Sequence, residues 1–118
     1  MNTLDLFRNA RDFEPYPAGH VVFRTGDPGS TMYVVKEGEV EIIINDKVVE
    51  TVGPGGVIGE MALIDARPRS ATVVAKTDCQ LAPIDEKRFT FLIQQTPYFG
   101  LQVMRVLVGR LRKMDARI

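Results

Sequence analysis

The sequence predicts a mainly β domain with flanking α-helices, in which about eight strands form an antiparallel β-roll or jelly roll. Two observations support this fold class. Over residues 13–84, short runs rich in Val, Ile and Thr alternate with Gly, Pro and Asp, as in strands separated by turns. Beyond them the apolar residues fall at helical spacing, which predicts two C-terminal helices over residues 85–118. A short N-terminal helix is expected over residues 1–12.

The composition is that of one ordinary soluble domain, predicted to span residues 1–118. The 15 basic and 15 acidic side chains cancel, so there is no electrostatic reason to expect nucleic acid as a partner. No apolar run approaches the roughly 20 residues that span a membrane. The first residues also lack the apolar stretch of a signal peptide. We therefore expect a cytoplasmic protein without a membrane partner.

The strand region carries clear alternation and turn signals. Apolar residues alternate with more polar ones along 40–44, which predicts a strand with one buried face. Asn45 and Asp46 lie between two apolar runs and predict a tight hairpin. In the sequence GDPGS, Gly26 and Gly29 can adopt positive φ, so a turn is expected there.

The C-terminal helices have recognisable starting residues. Asp85 is suited to cap the first helix, and Pro97 is suited to the first turn of the second. Five apolar residues of the second helix follow the 3-4-3-4 spacing of a two-stranded coiled coil: Met104, Leu107, Leu111, Met114 and Ile118. Extra valines widen this surface, so part of the helix is expected to pack on its own domain. The other part can meet a partner, and a homodimer is one predicted arrangement.

The segment from Gly53 to Val74 carries the chemistry. Gly59 and Glu60 open a brief predicted helical turn, whose exposed N–H groups suit an anion. Arg69 lies nine positions after Glu60, at the mouth of an apolar strand. A carboxylate can accept from a sugar hydroxyl, and a guanidinium can fork onto phosphate oxygens. An ordinary Glu60–Arg69 salt bridge between two loops explains the same residues, so the spacing alone leaves both interpretations open.

The run GEMALIDARPRSATV resembles the phosphate-binding cassette of cyclic nucleotide-binding domains, whose usual form is close to FGE(L/M/I)ALxxxxPRxATV. The interval from Glu60 to Arg69 matches without a gap. The run VVFRTGDPGSTMYVVKEGEVEI resembles another segment of the same family, so the resemblance covers nearly the whole chain. It implies an effector domain of the kind found in catabolite activator protein and in protein kinase A regulatory subunits. The cassette would occupy residues 58–72.

The resemblance also implies roles for individual cassette residues. Gly59 would line the sugar, and Glu60 would accept the ribose 2′-hydroxyl. Met61 and Ala62 would offer backbone N–H groups to the cyclic phosphate. Arg69 would neutralise the exocyclic oxygens of that phosphate.

The remaining implied contacts surround the base. Ser70 occupies a position whose side chain often contacts phosphate or base, and Ala71 would offer a further backbone contact. The apolar wall is expected from Val49, Val57 and Val73, for each of which an ordinary core position is the alternative.

The chain departs from the family pattern at two positions. The usual Phe before the Gly-Glu pair is Ile58, a loss of bulk that a core can tolerate. Ser70 stands where Ala or Thr is common, and members selective for cyclic GMP tend to carry Thr. The ligand expected is therefore cyclic AMP, with cyclic GMP as the alternative.

Catalytic and metal sites are not expected. Ser30 and Ser70 lack a plausible histidine base, because His20, the single histidine, is expected in a surface turn. Cys79, the single cysteine, is expected at a buried strand position. One histidine and one cysteine without clustered acids provide no ligand set for a metal ion.

The expected function is that of a receptor that transmits ligand binding through its C-terminal helix. Binding would pull the turn at 59–64 inward, and the closing helices would cover the base, with Leu107, Leu111 and Arg112 as candidate lid residues. The expected partner is an unidentified protein effector. Direct contact with nucleic acid is not expected, because no helix-turn-helix follows the long helix.

Two alternatives to a stand-alone receptor remain at this stage. The chain can be a sensor domain from a larger regulator, although the initial Met favours a stand-alone protein. It can also be a docking module of the same fold that binds no ligand. Retention of both Glu60 and Arg69 favours ligand binding over that second alternative.

Overall fold

The computed structural model describes residues 12–114, and within them eight strands form two four-stranded antiparallel sheets. The strands are β1 Glu14–Tyr16, β2 Val21–Phe23, β3 Met32–Glu37, β4 Val40–Ile44, β5 Lys47–Val52, β6 Val57–Ile58, β7 Thr72–Ala75 and β8 Cys79–Ile84. The first sheet has the order β1-β8-β3-β6 and the second has the order β2-β7-β4-β5. This arrangement confirms the predicted jelly roll.

Three helices are found in the same range: α1 Glu60–Asp65, α2 Glu86–Gln95 and α3 Pro97–Met114. The side chain of Asp85 caps α2 as predicted, because it accepts a hydrogen bond of 2.8 Å from the Arg88 N–H. The helix predicted over residues 1–12 lies outside the described residues, apart from Asp12, which is not helical. The predicted end of the second C-terminal helix, beyond Met114, also lies outside them.

The β4–β5 connection is the predicted two-residue hairpin. Asn45 and Asp46 have φ values of 52° and 63°, the left-handed pair of a type I′ turn. The turn places Ile44 opposite Lys47 in the ladder. The alternation along β4 is also confirmed, since Val40 and Ile42 are buried.

The loop between β2 and β3 turns at residues 24–27, at the start of GDPGS, where the Asp27 N–H donates to the Arg24 carbonyl at 3.0 Å. The two glycines of GDPGS serve different purposes. Gly26 has a φ of +88°, as expected. Gly29 does not adopt positive φ, which corrects the prediction. A Cβ at Gly29 would lie only 2.5 Å from Nε of Arg69, so this glycine is required because a side chain approaches it closely.

Among residues 12–114, the apolar core forms two clusters on opposite faces of the first sheet. Val35 and Leu81 point between the sheets, whereas Val34 and Ala82 join a cluster that includes helical side chains. Phe99 of α3 belongs to that second cluster and is fully buried. Burying such a side chain contributes roughly 1.5–3 kcal/mol, which anchors α3 to the roll.

Candidate functional site

A cavity of about 520 Å³ lies against the second sheet and is bordered by α1 and α3. This volume is within the range typical of small-molecule sites. Apolar side chains from β4, β5 and β7 form much of its wall. Five charged residues also line it: Glu50, Glu60, Arg69, Arg110 and Lys113.

The side chain of Arg69 is buried in the cavity wall, with only 6% of its surface exposed. Its Nη2 donates to the carbonyl oxygen of Thr31 at 2.8 Å, and its Nη1 donates to that of Gly59 at 3.2 Å. Its Nε is buried and has no hydrogen-bond partner among residues 12–114. The guanidinium also lies 4.1 Å from the ring centroid of Phe23.

The burial of Arg69 affects its charge equilibrium. Burial lowers the pKa of the guanidinium below its ordinary value, and the fields of Tyr33, Asp27 and Glu60 oppose that decrease. An arginine remains protonated in proteins despite such shifts. The cavity therefore contains a buried cation whose direct partners are neutral carbonyl groups, an arrangement that favours an anionic ligand.

Glu60 begins α1 and is the second buried charge of the cavity, with 2% of its surface exposed. The preceding Gly59 has a φ of +77°, and a Cβ on it would lie 2.8 Å from Nη1 of Arg69. The carboxylate of Glu60 forms an ion pair with Arg110 of α3. No ion pair joins Glu60 to Arg69 in the described part of the chain, so the salt-bridge interpretation of these two residues is wrong.

Arg110 connects α3 to three other elements at the edge of the cavity. It donates to both carboxylate oxygens of Glu50 on β5, from Nε at 3.0 Å and from Nη2 at 3.2 Å. Its Nη2 also donates to the carbonyl oxygen of Val57 on β6 at 2.7 Å, and its Nη1 pairs with Glu60 on α1. Burial alone would lower the pKa of Arg110, but Glu50 and Glu60 outweigh burial and raise it.

The structure brings all seven predicted ligand-contact residues of the cassette to the cavity wall. These residues are Gly59, Glu60, Met61, Ala62, Arg69, Ser70 and Ala71. The Ser70 side chain lies near Met61, with Oγ 3.8 Å from Sδ, a weak contact that leaves the hydroxyl free to meet another group. The residues of the predicted site therefore meet at one cavity in the fold.

The apolar wall agrees with the prediction at two of three valines. Val49 and Val73 line the cavity. The Val57 side chain instead belongs to the core cluster beneath the helices, because strand alternation turns it away from the cavity. Only the carbonyl oxygen of Val57 takes part in the site, as an acceptor for Arg110.

The predicted lid residues lie elsewhere on α3. Leu107 packs partly against the core cluster that contains Phe99, and Leu111 and Arg112 are exposed away from the cavity. Leu111 and Arg112 lie one and two positions after Arg110 and therefore on other faces of the helix. The cavity is instead approached by Arg110 and, one turn later, by Lys113 and Met114.

Sequence reasoning missed Phe23, Glu50 and Arg110. A signal existed for Arg110, which lies seven positions after Val103 and so shares its inward helix face, an unusual place for an arginine. No comparable local signal marks Phe23 or Glu50, since each reads as an ordinary strand residue.

His20 and Cys79, for which no role in the site was expected, occupy the predicted places. His20 is exposed, and Cys79 is buried with 3% of its surface exposed. Burial raises the pKa of the Cys79 thiol, against the effect of its hydrogen bonds to Thr77 and Glu39. Among residues 12–114, no cluster of potential metal ligands is found, and none of the helices has the length and apolar character of a membrane span.

Comparison with known proteins identifies a family and a relative of this chain. The family model of the cyclic nucleotide-binding domain matches residues 13–96. A cAMP-dependent protein kinase regulatory subunit from Eremothecium gossypii is 44% identical over 73 residues, which are 62% of this chain. The matched segment is only 16% of that regulatory subunit.

Solved structures share the fold. The catabolite activator protein of Thermus thermophilus superposes with a TM-score of 0.76 and 29% identity, over 95% of this chain and 60% of that one. A protein from a cyclic-GMP-dependent signalling pathway that regulates bacterial phytopathogenesis superposes with a TM-score of 0.77 and 26% identity. That match covers 96% of this chain and 95% of the other.

These similarities agree with the cavity described above. The family model covers the whole β-roll and the first closing helix, α2, and includes the segment that carries Glu60 and Arg69. The superposed structures extend the match to nearly the full chain. The chain belongs to the cyclic nucleotide-binding domain family.

Proposed function

We propose that the chain is a receptor for cyclic AMP, which binds in the 520 Å³ cavity, and that it acts by regulation rather than catalysis. One observation carries the proposal: Arg69 is a buried cation in the cavity wall that has no carboxylate partner in the described residues and an unpaired Nε. A buried charge of this kind is unfavourable until a counter-ion binds. A phosphate oxygen supplies that counter-ion.

The charge of the cavity supports a cyclic phosphodiester over a phosphomonoester. Arg110 is already paired with Glu50 and Glu60, so Arg69 is the remaining buried cation of the cavity among residues 12–114. A cyclic phosphodiester carries one negative charge and matches one guanidinium. A monoester carries about two charges near neutral pH. Its second charge would have no second buried cation as a partner, since Lys113 lies at the exposed edge of the cavity.

The sugar and base have suitable surroundings. A carboxylate offers about four acceptor positions, so Glu60 can pair with Arg110 and still accept from a ribose hydroxyl. Ile42, Val49 and Val73 provide an apolar wall for a purine. The first N–H groups of α1, at Met61 and Ala62, are available to the phosphate.

The choice of cyclic AMP over cyclic GMP rests on similarity and on Ser70. The relative that is 44% identical over 73 residues is the regulatory subunit of a cAMP-dependent protein kinase. Ser70 departs from the Thr that favours cyclic GMP in the family. The specific reason to keep cyclic GMP as the second candidate is that Ser70 lines the cavity and carries a hydroxyl, which can bond a guanine edge.

Transmission is proposed to run through α3. Arg110 ties this helix to Glu60, which is the proposed ribose ligand, so a ligand on Glu60 acts on the helix as well. A ligand shifts the helix only if it binds two helix positions with different affinity. A protein effector, or a second copy of this chain, would then bind the rearranged helix in the cytoplasm.

Isothermal titration calorimetry with cyclic AMP, cyclic GMP and 5′-AMP tests the proposal. We expect one-to-one binding of cyclic AMP at micromolar affinity or better, about −8 kcal/mol, and a weaker affinity for 5′-AMP. Tighter binding of cyclic GMP than of cyclic AMP would make cyclic GMP the proposed ligand and cyclic AMP the alternative. An absence of heat with any of them, together with an unchanged Tm at millimolar ligand, would support a docking module that binds no nucleotide.

A further inference from the structure

Phe23, at the end of β2, covers the Arg69 guanidinium although it lies far from the cassette in sequence. Its ring centroid is 4.1 Å from Cζ of Arg69. The ring is itself held by Tyr33, with the two centroids 6.4 Å apart and the planes at 27°. An aromatic face attracts a guanidinium electrostatically and keeps it flat against the ring. Phe23 therefore restricts the plane in which Arg69 can present its donors.

Gly29 approaches the same guanidinium from the β2–β3 loop. A Cβ at this position would lie 2.5 Å from Nε and 2.7 Å from both Cζ and Nη2 of Arg69. Any side chain would therefore occupy space that the guanidinium needs. The backbone of Gly29 does not adopt positive φ, so close approach alone accounts for the glycine.

The loop that carries Gly29 is tied to the backbone of Arg69. The N–H of Gly26 donates to the Arg69 carbonyl at 2.8 Å, and the Arg69 N–H donates to the Asp27 carbonyl at 2.9 Å. The loop and the arginine are thus fixed relative to each other. A slot between Phe23 and Gly29 then sets the position of the guanidinium itself.

We propose that Phe23 and Gly29 are positioning residues, which hold the Arg69 guanidinium where it meets the cyclic phosphate. The proposal rests on the proposed function and deepens it, because neither residue belongs to the cassette. A well-placed charge-assisted hydrogen bond is worth more than a misaligned one. Loss of the slot should therefore weaken the phosphate contact while the base and sugar contacts persist.

The substitution Gly29→Ala tests the glycine side of the slot, with Gly53→Ala as the matched control. Gly53 also lacks positive φ, and a Cβ there would meet nothing within 4 Å. We expect Gly29→Ala to weaken cyclic AMP binding about tenfold or more, while Gly53→Ala stays within about twofold of wild type. Adenosine, which lacks the phosphate, should bind both variants like wild type in an NMR titration.

Two outcomes would overturn the positioning role of Gly29. One is unchanged cyclic AMP affinity in Gly29→Ala. The other is an equal loss of cyclic AMP and adenosine affinity, which would indicate general damage to the cavity. In an Arg69→Lys background the Gly29→Ala effect should largely disappear, because the guanidinium that the new methyl displaces is gone. If wild type binds no cyclic nucleotide, the proposed function fails instead, so the two failures are distinguishable.

Phe23→Leu and Phe23→Tyr test the aromatic side of the slot. Leu keeps apolar volume without a ring, and we expect a roughly three- to tenfold loss of cyclic AMP affinity, with Tyr restoring binding. The Arg69 Nε–H resonance provides a readout that needs no ligand. It should be shifted upfield by the Phe23 ring and move downfield in Phe23→Leu only. An unmoved resonance, or equal affinity in both variants, would refute the role of Phe23.

Discussion

The buried guanidinium of Arg69 is the group that most favours an anion in the cavity. Its guanidinium is buried against Phe23 and donates to two carbonyl oxygens, those of Thr31 and Gly59. Carbonyl groups compensate a buried positive charge less well than a carboxylate does. Among residues 12–114, the guanidinium thus has no carboxylate in direct contact at the place where the phosphate is proposed to bind. Anion binding would supply a counter-charge.

The substitution Arg69→Ala should therefore weaken cyclic AMP binding by roughly 2–4 kcal/mol, a loss of up to several hundredfold. The reason is that the phosphate would be buried without its counter-charge. Arg67→Ala is the matched control, because Arg67 lies two residues away, is exposed and forms an ion pair with Asp65 on the surface. Calorimetric titration of both variants measures the difference.

The ligand-free stability of Arg69→Ala provides the companion measurement. Since the arginine is buried without a carboxylate partner, its removal should leave the Tm close to that of wild type. A variant that stays folded and still binds as tightly as wild type would show that Arg69 does not hold the phosphate. Equal losses in Arg67→Ala would show that long-range charge, and not the buried contact, is responsible.

The sequence predicts the site residues that lie together in one motif, and it misses those that only the tertiary fold brings to the cavity. The cassette residues Glu60 and Arg69 lie nine positions apart in one motif, so their convergence on one cavity could be predicted. Phe23, Glu50 and Arg110 reach the same cavity only through tertiary folding. Arg110 is marked only by its place on the inward face of its helix, seven positions after Val103, and Phe23 and Glu50 have no local sign of that convergence.

The helix α3 has two apolar faces with separate purposes. Phe99, Val103 and Leu107 pack on the roll, and Arg110 extends that face into the cavity. The opposite face exposes Leu101, Met104, Val108 and Leu111. The predicted coiled-coil seam mixed the two faces, because Leu107 is partly buried and Met114 lines the cavity. With apolar residues at so many positions, periodicity alone cannot assign each one to a face.

Arg110→Met should loosen α3 because it removes the ion pairs with Glu50 and Glu60 while keeping the apolar part of the side chain. Breaking such a partly buried network costs roughly 2–3 kcal/mol of unfolding free energy, less than for a fully buried one because Glu50 retains some exposure. Urea unfolding measures the loss. Hydrogen exchange should locate it in the second half of α3. Arg112→Met, an exposed change on the same helix, is the control.

The pH dependence of this loss follows from Glu50. Burial would raise its pKa, but the hydrogen bonds and charge of Arg110, with a smaller effect of Lys113, hold it below the ordinary 4.5. The stabilisation is then complete above the unfolded-state pKa and is lost as the pH falls through the lower folded-state value. The stability gap between wild type and Arg110→Met should narrow on acidification below about pH 4.5. A gap that widens in acid would contradict this account.

For the molecule as a whole, the class of fold was predictable but the assignment of strands to sheets was not. Short strands, turn residues and the change to helical spacing were enough to predict a jelly roll with two closing helices. The chain between β3 and β4 reads as a hairpin, yet these strands lie in different sheets. Gly38 allows that crossing, since a Cβ there would lie 2.2 Å from the Asp78 carbonyl oxygen. Hairpins and sheet crossings both use glycine, so sequence does not separate them.

The exposed face of α3 gives the molecule a second surface, separate from the cavity. Leu101, Met104, Val108 and Leu111 follow 3-4-3 spacing, which is self-complementary between two copies of the helix. A seam of about three turns is short, so we expect a dimer of micromolar affinity. Because α3 is also bound to Glu60 through Arg110, cyclic AMP should change the dimer affinity.

Val108→Lys tests this assembly in sedimentation equilibrium, with and without cyclic AMP. A lysine in the seam places like charges opposite each other, so we expect a folded monomer at concentrations where wild type is dimeric. Gly109→Lys adds the same charge one residue away, where a side chain would meet nothing within 4 Å, and should remain dimeric. A wild type that is monomeric at high concentration in both ligand states would refute the dimer. It would leave the exposed face of α3 to a different protein, which is the other partner that the proposed function allows.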